Sequence, residues 1–469
     1  MNGRYRMDFR KQINKKRNEI IASTQELIQI KSLKEPGVEG MPFGKGMNHA
    51  LNYVLDKAEK MGFKVKNLDG YCGYAEYGEG EYYIGIFSHV DTCKEGDGWT
   101  VPPFEGKIMN NRIYGRGSLD NKGPLIAALY GMKAVMDLDK PPKIKIRLII
   151  GTDEERYYED MKHYLSKEKP PIAGFTLDGQ FPVVFAEKGL SMMEYRGLFT
   201  QEKGERISFI EGGVSENTVP EYCKALLLTG RKSEIISKLI LFAKENRHNM
   251  TARAVKEGVE IESFGLATHS MAVEMGINAI CPLLVFLKQL EFGGECVQGM
   301  IQYIDDVLGD DIYGHRLDVA FSDEFSGNLT INFGIFSYQN DEAKARFDIR
   351  YPVTCDFRHV SKKITESFEK NGFTLQENSY WDPVYFPKEH FLIEALLKAY
   401  REVTKDYSDP ISSGSGSYSK VILNVAAFGA IFPGESQAWH QANEYVDIDN
   451  LIKMSEIYAT AIYELANTL

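Results

Sequence analysis

Three apolar runs in the first half of the chain each end in residue types that bind cations or move protons. This pattern limits the fold more than any other feature. Tyr82–Phe87 leads into Ser88-His89-Val90-Asp91, Ile144–Ile150 into Gly151-Thr152-Asp153-Glu154-Glu155, and Ile172–Leu177 into Asp178. Short apolar runs separated by helical patterns (Asn121–Met136, Tyr157–Leu165) read as buried strands. Strands alternating with helices predict an α/β layer with a largely parallel sheet. Open sheets of this kind hold ligands beyond the carboxyl ends of their strands. The acids and the histidine are therefore expected along one edge.

The chain has 469 residues, too many for one simple core, so two domains are expected. Amphipathic helices are predicted over Asp8–Ile30 and Gly46–Met61, with a strand at Tyr71–Tyr77. After Glu187 the rhythm changes to longer, more polar strand-like runs: Lys224–Thr229, Ala252–Phe264, Leu329–Phe336 and Ala345–Tyr351. Helical patterns at Ser233–Asn246, Ala279–Leu290 and Ser361–Asn371 separate them, as in two βαβ-type units side by side. From Glu389 the α/β character returns, with an amphipathic helix, the apolar run Ile422–Phe432 and a closing helix from Asp449. The expected fold is a mixed, largely parallel sheet with flanking helices, formed by residues 1–187 and 383–469. An α+β lid domain, residues 188–382, is inserted into it.

The formal net charge is −11, from 66 acids against 55 bases, which disfavours nucleic acid and anionic membranes as partners. No stretch approaches the ~20 apolar residues of a membrane span. The N-terminal run lacks the apolar segment of a secretory signal. The six cysteines are scattered without a C-x-x-C pair and read as reduced thiols, so a cytoplasmic location is expected.

Each motif has a chemical reading beside a plainer one. Side chains at i and i+2 on a strand share a face, so His89 and Asp91 can touch. A metal-bound imidazole usually gives its second N–H to a carboxylate, and Asp91 is placed for that. The same pattern also describes a core histidine beside an acid. Gly115-Arg116-Gly117-Ser118-Leu119-Asp120-Asn121-Lys122-Gly123 is a glycine-rich turn entering a helix, without the G-x-G-x-x-G or G-K-[ST] of a nucleotide loop. It is either an ordinary tight turn or a carboxylate, Asp120, set to bridge two cations. Glu154 and Glu155 point in different directions, one toward a metal and one toward a reacting water, unless the pair is simply a solvated loop. His440 follows an apolar strand near the C-terminus.

In order, S-H-V-D-T, G-R-G-S-L-D-N-K-G-P, G-T-D-E-E and the late F-P-G…W-H-Q-A-N-E-Y resemble the M20 family of metallopeptidases, most closely its PepV-type dipeptidase branch. The resemblance implies two divalent ions, zinc with manganese or cobalt as alternatives. Asp120 would bridge them, His89 and Asp178 would complete one site, and Glu155 and His440 the other. Asp91 would orient His89, and Glu154 would be the general base. Three carboxylates against two divalent ions leave one positive charge, which a bridging hydroxide neutralises. The resemblance also makes Asn217 a substrate contact, brings His269 to the reacting carbonyl, and gives Arg350 the substrate carboxylate. It places the loop containing Gly414, Ser415 and Gly416 near the substrate. Two segments depart from the family pattern. Glu155 is followed by the bulky Arg156-Tyr157-Tyr158, and the late loop reads Ser413-Gly414-Ser415-Gly416-Ser417-Tyr418-Ser419-Lys420 where relatives have three glycines and end in arginine.

The resulting expectation is an enzyme that hydrolyses the amide bond of dipeptides with free termini. The alternatives are an N-acyl-amino-acid deacylase or desuccinylase on the same metal site, or a binding protein that has lost catalysis. The large lid resembles the branch in which one chain supplies the whole site, so a monomer is expected and a dimer stays open.

Overall fold

The apolar runs that end in acids and histidine form neighbouring strands. In the computed structural model, residues 9–139, 141–435 and 438–468 are described, and they divide into two units. The first contains the described residues up to Phe185, Val384–Ser412, and those from Gly416 onward. Its six-stranded sheet has the order Lys64–Leu68, Cys72–Tyr77, Lys145–Gly151, Tyr83–His89, Ala173–Thr176, Val425–Ala427. The first two strands form an antiparallel hairpin that runs against Lys145–Gly151, and the other four strands are mutually parallel.

Register explains why the chemistry collects at one edge. His89 lies opposite Gly151, and Phe87 lies opposite Thr176. The ladder extends by one residue through Val90 N–H to the Gly151 carbonyl and Leu177 N–H to the Phe87 carbonyl, both 3.0 Å. The residues that follow therefore leave the sheet side by side. Every residue of Tyr83–His89 is buried, as a parallel strand covered on both faces requires. The helix Lys122–Met136 is buried almost throughout and packs against Ile448–Thr468. Gly131 permits that approach, since a Cβ there would sit 2.9 Å from the Ser455 carbonyl oxygen.

The second unit comprises Ala186–Pro383 and Ser413–Ser415. Its single eight-stranded sheet has the order Asn249–Ala254, Gly258–Phe264, Tyr222–Leu228, Arg206–Gly212, Thr330–Gln339, Glu342–Tyr351, Gly189–Leu198, Phe373–Trp381, and all neighbours are antiparallel. Tyr222–Leu228 and Asn249–Ala254 run the same way with one strand between them, and the helix Lys232–Asn246 joins them. Glu342–Tyr351, the helix Phe357–Lys370 and Phe373–Trp381 repeat this arrangement. The two βαβ-type units are thus split crossovers, each with a third strand inserted. In Phe357–Lys370 the buried residues are Phe357, Val360, Ile364 and Phe368, an apolar stripe at helical spacing. Asp356 caps its first turn by accepting the Arg358 N–H at 3.1 Å.

Some boundaries differ from expectation. The opening helix is two, Arg10–Lys15 and Arg17–Ile28. The run Ala252–Phe264 is a hairpin, because Val255 N–H closes a turn onto the Gly258 carbonyl at 2.9 Å. Ile422–Phe432 yields two short strands, Val425–Ala427 and Ala430–Ile431, parted by Gly429 at φ 75°. The helix Glu295–Val307 was not anticipated. No helix among the described residues is long and apolar enough to cross a membrane.

Gly85 and Gly174 face each other on adjacent central strands. A Cβ at position 174 would lie 2.2 Å from the Gly85 carbonyl oxygen, a backbone atom that cannot swing away. Gly174→Ala is expected to lower unfolding stability in urea by about 1–3 kcal/mol, the usual cost of overpacking. A change within about 0.5 kcal/mol would show that the strands separate freely there.

Candidate metal centre

His89, Asp91, Asp120, Glu154, Glu155, Asp178 and His440 all belong to the first unit. His89 is fully buried, and its Nδ1 lies 3.1 Å from the Asp91 carbonyl oxygen and 3.2 Å from the Asp91 carboxylate. An N–H on Nδ1 directed at the Asp91 carbonyl leaves the Nε2 lone pair pointing the other way. There Nε2 meets Asp120 Oδ1 at 3.2 Å and Asp178 Oδ2 at 3.8 Å. The second Asp120 oxygen lies 2.9 Å from His440 Nε2, which is itself 3.0 Å from Glu155 Oε2. One carboxylate therefore spans both histidines.

His89 Nε2, Asp120 Oδ1 and Glu154 Oε1 are buried without a hydrogen-bond partner. Close approach without alignment is what donors facing a common point produce, and buried polar atoms rarely stay unpaired otherwise. His89, Glu154 and Asp178 form one group whose donor atoms lie within 4.8 Å of one another, and Cys93, Glu155 and His440 form a second. Imidazole and carboxylate donors with unpaired buried atoms fit divalent cations.

The electrostatics agree. Burial pushes the Asp178 carboxyl up to about 7, assisted by Asp120. Burial and the neighbouring Asp178 raise Glu154 well above the carboxylate range. Burial disfavours charge on both histidines, yet Asp91 and Asp120 raise His89, and Glu155 and Asp120 raise His440. Burial also opposes charge on Asp120, but the adjacent His440 and His89 imidazoles hold it below the usual range. So many carboxylates in so little water call for added positive charge.

Several residues that place this centre were missed by the motif reading. Glu444, fully buried, accepts from Arg116 Nη1 at 2.8 Å and from the backbone N–H groups of Gly117, Leu119 and Asp120 at 3.2, 2.9 and 3.1 Å. It thereby ties the loop carrying Asp120 to the segment carrying His440. Asn121 Oδ1 accepts from Ser88 Oγ at 2.5 Å while its Nδ2 donates to the Leu177 carbonyl at 3.0 Å, joining the neighbours of His89 and Asp178. Asp160 accepts from Thr152 N, Asp153 N and Tyr418 Oη at 2.7, 3.0 and 2.5 Å, anchoring the loop that presents Glu154 and Glu155. Cys93 Sγ lies 3.1 Å from Glu155 Oε2. Asn121 and Glu444 lie inside the quoted motifs and Tyr418 inside the late Ser/Gly-rich loop, but nothing local in the sequence marks Asp160.

The remaining candidates cluster mainly in the second unit. His269 caps the short helix Ser270–Met275 through Nδ1, which accepts the Met271 N–H at 3.2 Å. The Asn217 carbonyl accepts the Ser270 N–H at 2.9 Å, and its side-chain oxygen accepts from Ser215 Oγ at 2.6 Å. Arg350 is buried. It binds both Asp348 oxygens at 2.7 Å, Ser270 Oγ at 3.1 Å and the Gly414 carbonyl at 2.9 Å. These bonds engage four of the guanidinium's five N–H donors, and Asp348 neutralises its charge. Ser415 Oγ lies 2.6 Å from Ser413 Oγ. Gly416 falls in the first unit, just before the turn Tyr418–Lys420.

Removing Glu444 would leave the Arg116 guanidinium buried without its counter-charge. Glu444→Ala is expected to cost about 3–5 kcal/mol in denaturant unfolding, as for other broken buried ion pairs. A loss under about 1 kcal/mol would show that the Asp120 loop is held without it.

Residues 85–464 match the profile of peptidase family M20/M25/M40. A Bacillus subtilis (strain 168) protein named "Putative dipeptidase YtjP" is 36% identical over 98% of this chain and 100% of its own length. A Staphylococcus epidermidis protein named "Putative dipeptidase" is 31% identical over 96% of this chain and 97% of its own. Among solved structures, human carnosine dipeptidase 1 superposes with TM-score 0.60 at 15% identity, covering 98% of both chains. A Bacillus subtilis protein described as a dinuclear metal binding peptidase of the M20 family superposes with TM-score 0.51 at 9% identity, over 97% of this chain and 100% of that one. At such identities the structural likeness is one of fold. The profile match and the full-length Bacillus relative together establish that this chain belongs to peptidase family M20/M25/M40 and is a metallopeptidase.

Proposed function

We propose that the chain hydrolyses dipeptides with free termini, using two divalent ions held by His89 and Asp178 on one side and Glu155 and His440 on the other, with Asp120 between them. The observation that carries this reading is the Asp120 carboxylate, whose two oxygens face the two histidines at 3.2 and 2.9 Å. The substrate class follows from relatives whose names carry the word dipeptidase. Zinc is the proposed ion, because imidazole with carboxylate suits it, and manganese and cobalt are the alternatives.

When bound, the ions supply Lewis acidity, polarising the scissile carbonyl and lowering the pKa of water. The chain's own residues do the rest. Asp91 fixes the His89 tautomer. Glu154, held at the centre by the 152–155 loop, takes the proton of the attacking water and passes it to the leaving amine. A carboxyl whose burial and Asp178 neighbour raise its proton affinity suits that exchange. In this reading His269 donates to the developing oxyanion. Arg350 binds the substrate carboxylate, with Asn217, Gly414, Ser415 and Gly416 as further contacts. These roles rest on the family resemblance and, for Arg350, on its one uncommitted N–H.

Glu154→Gln is expected to keep its bound ions and lose roughly 10²–10⁴-fold in turnover, the usual contribution of a general base. Near-normal turnover in that variant refutes the role. The metal-stripped protein, reloaded with zinc, manganese or cobalt, is expected to cleave free dipeptides in preference to N-acetyl and N-succinyl amino acids. Preference for the blocked substrates overturns the dipeptidase reading and leaves the metal centre standing.

A further inference from the structure

All six cysteines are free, and among the described residues Cys93 alone of them joins a group of metal-type donors. Its Sγ lies 3.1 Å from Glu155 Oε2, which lies 3.0 Å from His440 Nε2. Nitrogen, oxygen and sulfur donors at about 2.0–2.3 Å from one zinc ion are separated from each other by roughly 3–4 Å, as tetrahedral geometry dictates. The Cys93–Glu155 and Glu155–His440 pairs already have that spacing, and all three donor atoms lie within 4.8 Å of one another.

The position of Cys93 is built, not incidental to a loose loop. Thr92 N–H donates to the Ser32 carbonyl at 3.1 Å, and Ser32 Oγ donates to the Val90 carbonyl at 2.5 Å. On the other side, Arg116 Nη2 donates to the Lys94 and Glu95 carbonyls at 3.3 and 3.1 Å. Glu155 N–H donates to Asp91 Oδ2 at 3.0 Å, which draws the two segments together. The guanidinium that pairs with Glu444 behind the Asp120 loop thus also sets the backbone just after Cys93.

We propose that Cys93 is a sulfur ligand of the ion assigned above to Glu155 and His440, an inference that rests on that dinuclear reading. On binding, the thiol proton leaves to solvent and a metal–sulfur bond forms, with no change of oxidation state. The two positions then differ in kind. The position at His89 and Asp178 offers nitrogen and oxygen, whereas the position at Glu155 and His440 adds a soft thiolate. Thiolate favours zinc over manganese, so Cys93 is a selectivity element for the second position. The rival arrangement is a thiol that only donates a hydrogen bond to Glu155.

The test loads metal-stripped full-length protein with two equivalents of zinc or cobalt(II), measures bound metal, and records zinc X-ray absorption and the cobalt near-ultraviolet spectrum. The expected result is one sulfur per two zinc ions at about 2.3 Å and a sulfur-to-cobalt charge-transfer band. Both signals should vanish in Cys93→Ser and Cys93→Val. Preference for zinc over manganese should fall at least about tenfold in either variant, in the range typical of altered metal surroundings. Two ions bound by nitrogen and oxygen alone in the unaltered protein overturn the proposal and leave the dinuclear reading intact. A sulfur signal that persists in the variants overturns it too. Failure to bind two ions overturns both readings. The spectrum of the unaltered protein decides the question even where a variant does not fold.

Discussion

The buried pair of Arg116 and Glu444 is the interaction on which the candidate centre most depends. Taking two charges out of water is costly, and a simple pair rarely recovers that cost. Here the carboxylate also receives the backbone N–H groups of Gly117, Leu119 and Asp120, and the guanidinium also reaches the Lys94 and Glu95 carbonyls. Three chain segments far apart in sequence meet at one ion pair. They carry Cys93, Asp120 and, four residues before Glu444, His440. The Asp120 loop, a glycine-rich turn with Gly117 at φ 87°, adds to this clamp the backbone bonds of Arg116 to the Pro103 carbonyl and of Lys122 to the Gly117 carbonyl.

A second set of contacts does the same for the sheet side. Asn121 holds the neighbours of His89 and Asp178, and Asp160 with Tyr418 holds the loop before Glu154. Tyr418 also lies edge-on to the His89 ring, with centroids 6.4 Å apart. Positioning by buried hydrogen bonds lets carboxylates that repel one another stay together. Burial, with that crowding, raises Asp178 and Glu154, and it makes cations the natural partner of the cluster.

Much of this was legible along the chain because strand ends are local features. The apolar run before His89, the run before Glu154 and the run before Asp178 could each be read singly, and a parallel sheet lines up their ends. The run Ala252–Phe264 shows the limit, since Gly258 at its middle closes a turn while the residues on both sides keep a strand-like pattern. Cys93 shows a deeper one. It directly follows the S-H-V-D-T motif, but that motif assigns nothing to position 93, and C-x-x-C arithmetic discards it. Only the folding of the 151–155 loop beside residues 91–93 brings its sulfur to Glu155. Asp348, two positions from Arg350 on the same strand face, takes two of its N–H groups, while Ser270 and Gly414 take two more and one of the five is left for a substrate.

The sequence by itself determined the strand–helix alternation, the edge at which acids and histidines collect, and the family to which those motifs point. These follow from hydrophobic periodicity and residue chemistry, which act over a few positions. The tertiary structure decided which oxygen of Asp120 faces which histidine, and that Arg116, Glu444, Asn121 and Asp160 hold the ligands in place. It also brought a cysteine to the candidate centre. Such contacts join residues as far apart as Arg116 and Glu444, whose meeting is set by sheet register and loop closure and leaves no periodic trace in the chain.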